Sequence, residues 1–187
     1  MSGSGDERSA RVIVGVSGSL GSVTALRRAA TEAVRRRAEL WPVLAWEPPG
    51  GDLAARRDPA AAPLLGDWER LAQQRLTAVL DEVFGEEGPG VPMRARVVRG
   101  APGRALVATA VREDDVLVVG AGRRRRHRPF SGRVAHHCLG HALCPVLAVP
   151  PSPLESDLTA VHRRNAWHLR LNTWELLNGH GQRPGTG

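Results

Sequence analysis

The 187-residue chain contains no Lys and no Tyr, and Ile13 is its single Ile. It has two cysteines, Cys138 and Cys144, too few for a disulfide scaffold and without Cys-x-x-Cys spacing. With no Lys there is no Gly-Lys-Ser/Thr phosphate loop, which excludes that class of NTPase. The composition leans to Ala, Arg, Gly, Pro and Val, as in chains from GC-rich genomes, so the missing Lys says little about mechanism. No apolar run approaches the ~20 residues of a membrane span. The stretch from Met1 to Arg11 is polar and lacks the apolar segment of a secretory signal, so a cytosolic location is expected. A hydrophobic share of 42% with 24% charged residues argues against disorder along the whole chain. A core of about 140 residues folds without metal or disulfide.

The charge is unevenly placed. Overall, 26 Arg face 19 acidic residues, for a net charge of +7. Residues 1–150 carry 22 Arg and 16 acidic residues, and six of those Arg lie between Arg123 and Arg133. Without these six the segment is neutral. One basic loop points to a local anion site, whereas a general basic coat would point to nucleic acid. No paired aromatics and no reading helix accompany the run, so specific nucleic-acid recognition is not expected. The alternative reading is a solvated loop tip.

Along the chain, short apolar runs alternate with helical spacing. Arg11–Ser17 reads as a buried parallel strand. Gly18 to Ser22 is a turn, with Ser22 as the helix N-cap. Val23, Leu26, Ala30 and Val34 then recur at helical spacing. Leu40–Trp46 is a second strand, weakened at its start by Pro42. After a Pro- and Gly-rich loop, Leu64–Phe84 is a helix with Trp68, Leu71, Leu76, Val79, Leu80 and Val83 inward. Met93–Val98 alternates as a third strand. Gly100-Ala-Pro-Gly103 leads into a helix with Leu106, Val107, Ala110 and Val111 inward. Val116–Val119 is a fourth strand, Val134–Ala142 a short helix and Pro145–Val149 a fifth strand. The alternation predicts an α/β fold, a five-stranded parallel sheet flanked by helices. The expected organisation is a disordered stretch over 1–10, the α/β domain over 11–150, and a tail over 151–187. That tail begins Pro-rich and carries Trp167, Leu171, Trp174 and Leu177 at amphipathic helical spacing before a disordered end. Ligands of such sheets sit at the carboxyl ends of the strands, which directs attention to the loops after Val16 and Val119.

Three segments in order carry a resemblance: Val12–Ser19, Val116–Gly122 and Cys144–Val149, with Leu44–Pro49 at the end of the second strand. Together they resemble the universal stress protein family over Arg11 to Pro150, about three quarters of the chain. The resemblance implies a dimer through the last strand and, in ATP-binding members, a Gly-x-x-Gly, nine residues, Gly-Ser/Thr phosphate loop. Small residues there let backbone N–H groups approach phosphate oxygens. Here the first pair is Gly120-Ala121-Gly122, one residue short, while the nine-residue spacing to Gly132 is kept. Arg133 stands where the family has Ser or Thr, and Ser17 where it usually has Asp.

The implied ligand is ATP or AMP, with no metal beyond the Mg²⁺ that accompanies nucleotide. Its implied site is Val16, Ser17, Ala45, Gly120, Gly122, Gly132, Arg133 and Val134. Arg133 either grips a phosphate through its fork or fills the pocket. The implied function is a regulatory nucleotide-binding protein of the stress response, not an enzyme, although weak ATP hydrolysis is not excluded. The alternative is a nucleotide-free module that recruits a protein partner through the Arg loop and the C-terminal helix.

Other groups read as structural. His136, His137, Cys138 and His141 lack a third ligand at fixed spacing and so do not predict a metal site. Asp114-Asp115 reads as a turn at the amino end of the fourth strand. Gly15-Val-Ser17-Gly-Ser19 misses the nucleophile-elbow frame by register.

Overall fold

The computed structural model describes residues 9–49, 62–122 and 132–152. The Arg-rich run over 123–131 and the tail from 153 onward, including Trp167 and Trp174, lie outside the described residues, as does the N-terminal stretch over 1–8.

Five strands follow the order foreseen: β1 (Arg11–Gly15), β2 (Glu39–Trp46), β3 (Arg96–Arg99), β4 (Val116–Gly120) and β5 (Val146–Val149). All pair in parallel, in the spatial order β3-β2-β1-β4-β5. The helices are α1 (Leu20–Arg36), α2 (Ala62–Phe84), α3 (Pro102–Thr109) and α4 (Arg133–His141). Strand alternation divides the core in two. Val12 and Val14 of β1 face α1 and α2, in a cluster with Leu26, Leu76 and Leu80. Ile13 faces the other way, with Leu106 of α3 and Cys138 of α4. Each fully buried aliphatic side chain contributes roughly 1.5–3 kcal/mol.

Pro42 lies inside β2, opposite Val14. Leu40 takes Pro92 O and Arg94 N–H on the β3 side, and regular β2–β3 pairing resumes at Val43 opposite Arg96. By alternation the nitrogen of Pro42 faces that interruption, so its missing donor breaks no continuous ladder.

Several sequence expectations need correction. Ser19, not Ser22, caps α1: its side chain accepts from Ser22 N–H, and Ser22 Oγ donates to Ser19 O at 2.8 Å. Val34, Leu71 and Val111 are exposed, and Ala33, Ala72 and Ala110 occupy the inward positions nearby. Trp68 is half-buried. The third strand starts at Arg96, because Met93 makes only an isolated bridge to Leu40.

Asp115 is more than a turn residue. It is fully buried (0% exposed) and accepts from Arg11 Nε at 2.7 Å, Arg11 Nη2 at 2.5 Å and Arg112 N–H at 3.0 Å. This ties the start of β1 to the start of β4.

Both cysteines are buried, as expected for structural residues. Burial, reinforced by Cys144, pushes the Cys138 thiol up to about 11. Burial and then the nearby Asp115 also raise Cys144. A raised thiol favours the folded state below the unfolded value near 8.5, and that contribution fades as pH rises through about 11. At pH 8 the native protein should therefore resist thiol-labelling reagents, while the urea-unfolded chain labels promptly. Fast labelling of Cys138 in the native state would contradict its burial.

Candidate functional site

The strand order reverses between β1 and β4: the chain moves outward from β1 to β2 and β3, then returns to the far side of β1 for β4. The loops leaving these two strands part, and a cleft of about 290 Å³ opens at their carboxyl ends. That volume is at the small end for a small-molecule site and suits a ligand of about mononucleotide size.

All eight residues singled out from the sequence line this cleft: Val16, Ser17, Ala45, Gly120, Gly122, Gly132, Arg133 and Val134. Val16, Val43, Leu106 and Val119 make an apolar floor, with Ala45 at its β2 side. Ser17 and Ser19 are polar and exposed, with their hydroxyls 2.9 Å apart. Arg133 is exposed and does not fill the cleft. Among the described lining residues Arg133 is the one titratable side chain.

The beginnings of three helices reach this cleft, through Ser19, Gly21 and Ser22 at α1, Pro102 at α3, and Gly132 to Val134 at α4. Each adds a partial positive charge. Their capping differs. In α1, Ser19 already takes Ser22 N–H, and Ser17 N–H is taken by Ser22 Oγ at 3.2 Å. In α4 the cap is Gly132, with no side-chain bond to the first turn. Its first intrahelical cap bond is His136 N–H to Gly132 O, so earlier first-turn donors have no carbonyl behind them in the helix. α3 likewise lacks a side-chain cap at Ala101, but its first residue, Pro102, carries no N–H, so the start of α4 is the better placed for an anion.

Glycine is sterically required where β4 passes the helix starts. A Cβ on Gly132 would lie 2.8 Å from Ala121 O, at a φ of +96° that disfavours any L side chain. One on Gly120 would lie 3.1 Å from Gly21 O. The backbone at these two glycines is thus packed close, with no room for a side chain.

The sequence did not indicate Arg75. From α2 its Nη2 donates to Ser17 O at 2.8 Å, and its guanidinium lies against Gly18 (φ +71°). It holds the β1–α1 turn that forms one lip of the cleft. No local pattern on α2 marks it, because its partner is 58 residues away. Leu106 and Pro102 were also not assigned to the site, although the Gly100–Gly103 turn places their helix at the same end of the sheet.

Among the described residues no group of three or more His, Cys, Asp or Glu could hold a metal ion, and no helix is long and apolar enough to cross a membrane.

Comparison with known proteins agrees with this architecture. No curated protein matches the chain. Among solved structures, the hypothetical protein MJ0577 is similar at 17% identity and a TM-score of 0.60, covering 76% of this chain and 96% of its own. The universal stress protein UspA from Lactobacillus plantarum is similar at 22% identity and a TM-score of 0.55, covering 75% and 97%. A universal stress protein in complex with cAMP is 28% identical, with a TM-score of 0.49 and coverage of 77% and 98%. The sequence profile of the Universal stress protein family matches residues 9–150, from the strand before the cleft to the end of β5. With that match over most of its length, and with the sheet order and strand-end cleft described above, the chain belongs to the universal stress protein family.

Proposed function

We propose that this protein binds an adenine mononucleotide, AMP or ATP with its accompanying Mg²⁺, and acts as a regulatory module and not a turnover enzyme. The observation that carries this reading is the start of α4, without a side-chain cap, beside the close-packed Gly120 and Gly132 backbone and facing an apolar floor. Phosphate oxygens would meet first-turn amides and the Arg133 fork. The base would lie on Val16 and Ala45. Ser17 would supply one hydroxyl where a carboxylate acceptor would bond the ribose or base more strongly. Among the described lining residues no carboxylate, His or Cys stands ready to act as a general base.

An Arg133 packed into a closed pocket would favour the competing nucleotide-free module. The exposed position of Arg133 beside an open cleft favours the nucleotide reading.

Regulation would follow if the nucleotide bound two states unequally, such as monomer and dimer. The edge strand β5 supports a dimer in this reading. Its Val146, Leu147 and Ala148 are half-buried, and Leu143 just before it is 77% exposed.

A thermal-shift titration of the full chain with AMP, ATP and adenosine tests the proposal, with sedimentation of the same samples reporting assembly. AMP at a hundred times its Kd should add about 2.7 kcal/mol of stability. Adenosine should add much less. Arg133→Ala should weaken AMP by about tenfold, the loss of roughly one charge-assisted hydrogen bond. No shift at millimolar nucleotide would remove the proposal.

A further inference from the structure

The β3 edge of the sheet carries a second feature, one strand out from the β2 residues that line the cleft. β3 is the terminal strand of the sheet, and among the described residues nothing pairs with its outer edge. Arg94 N–H and Gly100 N–H are spent on Leu40 O and Trp46 O of β2. By alternation, the N–H and C=O of Ala95 and Val97 point away from the sheet.

This edge is basic, and its cations are pre-positioned. The Trp41 ring, 7% exposed, lies under Arg94 and Arg96, whose guanidinium carbons sit 5.4 and 5.3 Å from its centroid. Arg11 also stacks on it at 4.6 Å, but Asp115 neutralises that charge. Arg94 has Glu39 at 3.4 Å. Among the described residues no carboxylate pairs with Arg96. Stacking fixes long side chains that would otherwise lose rotamer freedom on binding.

From this juxtaposition we infer that the β3 edge is a docking site for an extended, acidic segment of a protein partner, which adds to the sheet as a sixth strand. Backbone bonds to Ala95 and Val97 supply affinity, and alternate carboxylates facing Arg94 and Arg96 supply specificity. A charged edge strand often serves only to repel other strands, as lysine-bearing edges do. Against Arg94 and Arg96 an acidic strand would meet attraction and not repulsion. Nucleic acid is the less favoured occupant, because it has no use for a strand edge.

The test is fluorescence anisotropy of a labelled peptide of about six residues, alternating Glu and Val, against the full chain. It should bind. Binding should fall at least tenfold in the Arg94→Ala/Arg96→Ala double variant, whose altered positions are exposed. N-methylation of alternate peptide amides should also abolish it, which tests backbone pairing without touching the protein. The proposal is overturned if the Glu-Val peptide does not bind, if the Lys-Val counterpart binds equally, or if the N-methylated peptide binds as well as the parent. Tighter binding of a single-stranded oligonucleotide, lost in the same double variant, would overturn it in favour of nucleic acid. None of these readings depends on nucleotide in the cleft.

Discussion

Asp115→Ala should lower stability by about 3–5 kcal/mol, because it leaves the Arg11 guanidinium buried without its counter-charge. The carboxylate also accepts from Arg112 N–H, so the mutation orphans a backbone donor where the chain turns into β4. At about 2–4 °C per kcal/mol for a domain of this size, the melting temperature should fall by roughly 6–20 °C. The double variant Arg11→Met/Asp115→Leu should recover much of the loss, since it removes both charges and fills the space. Urea unfolding of the three proteins measures this. A single-variant loss below about 1 kcal/mol would mean that the pair behaves like a solvent-screened surface bridge.

Gly132→Val should abolish nucleotide binding while leaving the strands folded. A β-branched residue in the left-handed region costs about 1–2 kcal/mol locally. Its Cβ would also lie 2.8 Å from Ala121 O, with no flexible atom to yield. The loop must move, and with it the amides at the start of α4. A loss of at least a hundredfold in AMP affinity is expected, with far-ultraviolet circular dichroism unchanged. Unaltered affinity would show that the phosphate is held elsewhere.

These two positions differ in how the sequence revealed them. Gly132 was found because its spacing from Gly122 matches a phosphate loop, and such a loop depends on local backbone chemistry. Asp115 was read as a turn because its partner Arg11 is 104 residues away and no local pattern links them. The strands were legible for a related reason: a parallel strand buried on both faces, such as Val116–Val119, must be apolar throughout.

Helix rotation was less legible. On α2 the inward row is Ala72, Leu76, Val79 and Leu80, one residue round from the Leu71 that its larger side chain suggested. Alanine fits closely against the sheet, and size alone misplaced Leu71, while Leu76, Val79 and Leu80 face inward as expected. The α1 cap is hard to read because three serines stand within six residues, and their mutual bonds decide which one caps. The cleft followed from topology, since the strand order must reverse beside β1. Arg75 at its lip did not.

The central claim is that the start of α4 receives a nucleotide phosphate. Its most direct measurement is an amide chemical-shift titration of isotopically labelled full-length protein with AMP. The account predicts saturating shifts concentrated at Gly122, Gly132, Arg133 and Val134, with smaller ones at Val16 and Ala45. Resonances that stay fixed at those residues through millimolar AMP, or that move only elsewhere, would contradict it.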